Sequence, residues 1–166
     1  CINRERKKYK SVGKSCSKAK VKILSEKNKF LPINRTGEIL CNTSYSFTRY
    51  FGMKKETKKS FYKNYFRTGD IGYLDKNKYL YYLGRKKNII KVSGIAVYPE
   101  DIENIVLQNK NVLEAGVIGL SDKNGLEKVI LCVVIKNKKY SKENLYNYCY
   151  KNLATFQQPS NLFFLH

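Results

Sequence analysis

Apolar and polar side chains alternate at Val21-Lys22-Ile23-Leu24. That is the pattern of a strand with one buried face. A polar stretch broken by Pro32 follows, and residues 36–42 (TGEILCN) read as the next strand. The period lengthens at residues 53–61. There Met53, Thr57 and Phe61 recur four apart, opposite Lys54, Lys55, Lys58 and Lys59, predicting a short helix with a solvated cationic face. Strand character returns at Tyr65, where YFRTGD is expected to end in a tight turn. Residues 75–78 (DKNK) then form a hairpin turn between two alternating runs. Pro99 suits the first turn of a second helix, and Glu100 and Asp101 suit its N-terminal end. Ile102, Ile105, Val106 and Leu107 supply the apolar face of that helix. Residues 112–120 and 128–135 read as strands, the second so continuously apolar that it is expected at the centre of its sheet. Ser141 caps a helix that carries Leu145, Tyr146, Cys149 and Leu153 inward. Pro159 bars its continuation, and residues 161–166 begin a last strand.

Composition narrows the function classes. Hydrophobic residues make up 42% of the 166 residues, enough to build a core. Lys+Arg is 33 against Asp+Glu 13, a net charge of +20 that raises nucleic acid or an anionic membrane as partners. The lysines are spread along the chain among Asn, Ile, Tyr and Phe, and Lys outnumbers the Arg expected of a groove reader. No nucleic-acid partner is therefore expected, while peripheral membrane association is left open. The five cysteines, at 1, 16, 41, 132 and 149, show no C-x-x-C spacing, and the one histidine is His166. Reduced thiols in a cytoplasmic protein are expected, with no metal site of Cys and His. No stretch is long and apolar enough for a membrane helix. Gly13-Lys14-Ser15 lacks the earlier glycine of a phosphate loop, since position 8 is Lys8. The chain starts with Cys1, so it is expected to be part of a longer protein.

Candidate chemistry concentrates between Tyr65 and Glu103. Asp70 is either a turn aspartate bonding its own backbone or an acceptor whose two oxygens take the hydroxyls of a diol. Arg85, leaving a strand beside Gly84, is either one half of a surface ion pair or a donor fork for the same diol. Three motifs stand in order here: Phe66-Arg67-Thr68-Gly69-Asp70; Gly84-Arg85-Lys86-Lys87-Asn88-Ile89-Ile90-Lys91; and Gly94 to Val97 followed by Pro99-Glu100-Asp101-Ile102-Glu103. Together they resemble the adenylate-forming superfamily, the acyl-CoA synthetases and other AMP-binding enzymes, which carry such motifs at a nucleotide-binding turn and at the junction of two domains.

The resemblance implies an α+β chain in two parts. Residues 1–86 would be the end of the large AMP-binding domain, in its β-rich subdomain. Residues 87–166 would be most of the small mobile C-terminal domain, a short central sheet flanked by helices. It also implies roles: Asp70 and Arg85 bind the ribose of ATP or AMP, and Tyr82 lines the nucleoside, although Tyr82 serves equally well as core. Lys87 is the hinge. Lys91 stands near the acyl-adenylate as a catalytic cation, and Gly94 edges the CoA channel. Asn88 replaces the acid more usual in the family, which puts a hinge-side ion pair in doubt. The phosphate-binding motif and the terminal catalytic lysine of the family are absent from the chain. The implied activity is that of an ATP-dependent acid–CoA ligase, with ATP, a small-molecule carboxylic acid and CoA as substrates. Mg²⁺ would be held mainly by residues upstream. An adenylation domain that loads a carrier thiol is the alternative within the class, and a basic nucleic-acid-binding module the alternative outside it.

Overall fold

The structure is a computed structural model that describes residues 11–137 and 139–165. The described chain is mixed α+β and divides into two compact units between Lys86 and Lys87.

The first unit is a sheet of five strands. β1 (Ala19–Leu24) pairs antiparallel with β2 (Gly37–Thr43), bringing Ile23 opposite Ile39. A short helix, α1 (Lys54–Ser60), follows, then the two-residue strand β3 (Phe61–Tyr62) and the long strand β4 (Tyr65–Leu74). β5 (Leu80–Arg85) completes the sheet, with β4 paired to β2, β3 and β5. α1 buries none of its residues, so the lysine-rich face has no core-facing counterpart. Its outer positions also fall outside the helix, with Met53 at the N-cap and Phe61 already in β3. The β4–β5 hairpin turns where expected. Asp75 is buried there, and its Oδ1 accepts the Asn77 and Tyr79 amides at 2.9 Å, the local bonding that makes aspartate a turn residue.

The second unit begins with a 3-10 turn (Lys86–Asn88 as a whole, of which Lys86 belongs to the first unit) and a small hairpin. The hairpin joins β6 (Ile90–Val92) to β7 (Ile95–Val97). α2 (Pro99–Val106) follows, then β8 (Val112–Ser121), β9 (Glu127–Ile135), α3 (Lys142–Asn152) and β10 (Asn161–Leu165). β9 is central, antiparallel to β8 and parallel to β10. Its near-continuous apolar run matches that position, because Val129, Leu131 and Val133 are all buried. Ser141 caps α3, its Oγ accepting the Asn144 amide at 3.2 Å.

Two expected core positions are corrected. Leu107 is the C-cap of α2 and is 45% exposed, since the helical period ends one residue earlier, at the buried Val106. Tyr146 is exposed on α3. Tyr148 is the half-buried tyrosine instead, its hydroxyl donating to the Ile105 carbonyl at 3.1 Å. Cys149 is buried in the same core, and burial pushes its thiol up to about 11.

Candidate active site

Asp70 lies inside β4, where a turn at the end of a strand was expected. The ladder explains the difference. Leu40 pairs with Arg67 and Glu38 with Ile71, so β4 spends extra residues, Thr68 to Asp70, against Ile39 alone. That is a bulge, which bends a strand and re-aims its side chains. Gly69 sits in it at φ +73°, a backbone conformation that glycine adopts without steric cost. Thr68 closes it. Its hydroxyl donates to the Ile39 carbonyl at 2.9 Å and accepts the Asp70 amide at 3.0 Å.

On the other edge of β4, Asp70 is the register partner of Arg85 on β5. Arg85 Nη1 stands 3.2 Å from Asp70 Oδ1 and donates to the Thr68 carbonyl at 3.1 Å. The two candidate ribose ligands are thus brought together, and both retain exposure to solvent, 28% for the Asp70 side chain and 52% for that of Arg85. An acceptor and a donor fork side by side on rigid strands can grip a diol from two directions. Tyr82 lies nearby on β5 with Gly72 as its cross-strand partner. It is 41% exposed, so it is not core.

Glu38 was not singled out by sequence reasoning. It lies beside the bulge on β2 and is only 5% exposed. Arg67 reaches it with two bonds, Nε to Oε1 at 3.2 Å and Nη2 to Oε2 at 2.6 Å. Lys86 Nζ adds a third at 3.0 Å to Oε2. Burial alone would raise the Glu38 pKa, but hydrogen bonds and charges from Arg67 and Lys86 together outweigh it and hold the carboxyl below the usual carboxylate range. In return, the bond to Glu38 raises the Arg67 pKa against the effect of its own burial. The available signal was an acid embedded in the apolar strand 37–41, a position that needs a cation beside it.

Lys87, Lys91 and Gly94 belong to the second unit. Lys87 is its first residue, in the 3-10 turn. Lys91 is on β6 with its side chain exposed, while its amide donates to the Glu127 carboxylate. Gly94 follows Ser93 in the β6–β7 turn, at φ +83° after +50°, so the two-residue hairpin itself favours glycine here. A Cβ at Gly94 would meet no atom within 4 Å, so the turn stands in open space.

Comparison with known proteins agrees with these motifs. The AMP-binding enzyme C-terminal domain family matches residues 101–166. The 2-succinylbenzoate–CoA ligase of Bacillus cytotoxicus is 32% identical over 159 residues, which are 96% of this chain and 33% of that protein. Residues 101–166 thus match the C-terminal domain of AMP-binding enzymes, and over nearly all its length the chain is similar to acid–CoA ligases.

Solved structures of the superfamily match its fold. The o-succinylbenzoate CoA synthetase of Bacillus subtilis, in complex with its acyl-adenylate intermediate, is 31% identical with a TM-score of 0.88, over 96% of this chain and 32% of that one. The same synthetase in complex with ATP and magnesium ion is 30% identical with a TM-score of 0.85, over 94% and 32%. The chain spans about a third of the length of the curated relatives it matches.

Proposed function

We propose that this chain is part of an ATP-dependent acid–CoA ligase. In the first half-reaction a carboxylate oxygen of the acid attacks the α-phosphorus of ATP and pyrophosphate leaves, giving an acyl-adenylate. In the second, the CoA thiol sulfur attacks the acyl carbon, loses its proton, and displaces AMP. The observation that carries the proposal is the Asp70–Arg85 pair on the braced bulge, in a chain so similar to CoA ligases. Asp70 would accept from the ribose hydroxyls, Arg85 would donate to the ribose oxygens, and Tyr82 would cover one face of the nucleoside.

The residues of the second unit would serve the second half-reaction. Lys91, exposed on a strand whose amide is held by Glu127, would bring a cation to the departing AMP. Gly94 would leave room for the pantetheine arm. Lys87, at the boundary of the two units, would be the residue about which the domain turns between half-reactions. Magnesium, where it binds, neutralises phosphate charge. Among the described residues no three His, Cys, Asp or Glu side chains gather to hold a metal, so none is assigned to it.

The test uses the intact protein that carries these residues, with ATP, magnesium and a panel of fatty and aromatic acids. Acid-dependent exchange of pyrophosphate into ATP without CoA, and AMP release that requires CoA, are the expected results. Exchange followed by transfer only to a carrier-protein thiol would instead assign it to the carrier-loading branch. No acid-dependent exchange with any acid would overturn the proposal.

A further inference from the structure

The adenylate-forming reading gives Lys87 the pivot but leaves unexplained why motion would begin there. The residue before it supplies a reason. Lys86 reaches back to Glu38 on β2, whose buried carboxylate is already gripped by Arg67 of β4. A carboxylate that is 5% exposed is stabilised by both cations, because a buried charge with too few partners is costly. The far side of the segment is held within the second unit. Ile90 is 1% exposed in that unit's core, and the next amide, that of Lys91, is bonded to Glu127. Lys87 and Asn88, by contrast, are exposed and Ile89 is half-buried.

We propose that Glu38 and Lys86 are the fixed end of the pivot: their ion pair, closed by Arg67, ties the chain to the first unit up to Lys86 and confines backbone rotation to Lys87–Ile89. The proposal rests on the ligase reading only for the purpose of the motion, not for the anchor itself. Glu38 and Lys86 touch no reacting atom in this scheme. They are positioning residues, acting through the backbone that Lys91 and Gly94 follow.

The experiment compares Lys86→Met and Lys86→Arg in the intact protein. Lys86 is the safer partner to change because 44% of its side chain is exposed, and circular dichroism checks that both variants fold. Hydrogen exchange of the segment 83–87 is expected to quicken about tenfold in Lys86→Met and to stay within about twofold of wild type in Lys86→Arg, with the β9 segment 129–133 unchanged in both. Thioester formation should fall about fivefold in Lys86→Met while acyl-adenylate formation stays within about twofold, and Lys86→Arg should restore the ratio. Unchanged exchange at 83–87 in Lys86→Met would overturn the anchor. Quickened exchange with both half-reactions falling together would overturn its role in the pivot. If no acid is activated by wild type, the ligase reading falls alone, and the exchange measurement still judges the anchor.

Discussion

The two units solve the problem of stability differently. The second has a continuous apolar core to which β6 through β10, α2 and α3 all contribute, with Ile102, Val106, Leu131 and Leu145 fully buried at its centre. The first has a smaller apolar cluster around Ile23, Ile39 and Leu80, with Leu24, Leu40, Ile71 and Tyr79 buried besides, and adds ladders and rings. Tyr73 stacks on Tyr81 at 4.8 Å, and Phe47 meets Phe61 and Phe66 edge-on. Its buried polar residues include Ser11, Glu38 and Asp75, whereas the second unit buries Asn109. A thinner core with braced polar groups suits the role proposed for the first unit, holding acceptors and donors in place at its surface. A thick core suits the rigid-body turning proposed for the second. The lesson is that the two units differ in what they bury.

That contrast can be broken most severely at Asp70. If Asp70 takes two ribose hydroxyls as proposed, Asp70→Ala in the intact protein removes two bonds at ~1.5–3 kcal/mol each, so acid-dependent pyrophosphate exchange should fall about 100- to 10,000-fold. Stability should change little, because Arg85 in the lost pair is half exposed and can be solvated in place. An unchanged ATP dependence would reduce Asp70 to a bulge residue. In the second unit the expectation reverses. Leu131→Ala opens a cavity in a full core and should cost about 2–5 kcal/mol of stability, measured by denaturant unfolding. The affinity for ATP proposed for the first unit should survive in the folded variant.

The boundary offers a third test. Proline at Lys87 fixes φ, and Lys91 and Gly94 lie beyond it. Lys87→Pro should leave acyl-adenylate formation while acyl-CoA production falls about 100-fold, a barrier rise of about 2.7 kcal/mol. Lys87→Ala should do much less, and circular dichroism should show both folded. Equal loss of both half-reactions in a folded Lys87→Pro protein would remove Lys87 from the hinge.

The smallest expected effect is a pH divergence between the units. Glu38, with its pKa held below 4.5, contributes stability that is present above the unfolded value and is lost as pH falls through the folded one. Asp101 on α2 is opposite in sign: burial, and then the charge of Glu100, raise its pKa above 3.8. The folded second unit therefore prefers the protonated acid, and the penalty at neutral pH is relieved as pH falls through the raised value toward 3.8. Segment-resolved hydrogen exchange from pH 6 down to about pH 3 should show the first unit losing protection relative to the second, most of it below the usual carboxylate range. Parallel behaviour of the two units would count against these assignments.

Much of this was legible in the chain itself. Period-two alternation marked the strands, DKNK the hairpin, Ser141 a helix cap, and the unbroken apolar run of β9 its central place. The ordered motifs between Phe66 and Glu103 marked the superfamily, because each is a local string whose chemistry needs its own neighbours. What tertiary structure alone decided was every property that depends on a distant partner. Asp70 sits on a bulge because β2 offers one residue where β4 spends several, and no pattern within β4 records that mismatch. Tyr148 is held inward, and Tyr146 is not, by a carbonyl 43 positions away. Glu38 is ionised inside the sheet because Arg67 arrives from 29 positions on and Lys86 from 48. Periodicity reports which side of an element is apolar. Whether a charge can be buried there depends on what the fold brings opposite it.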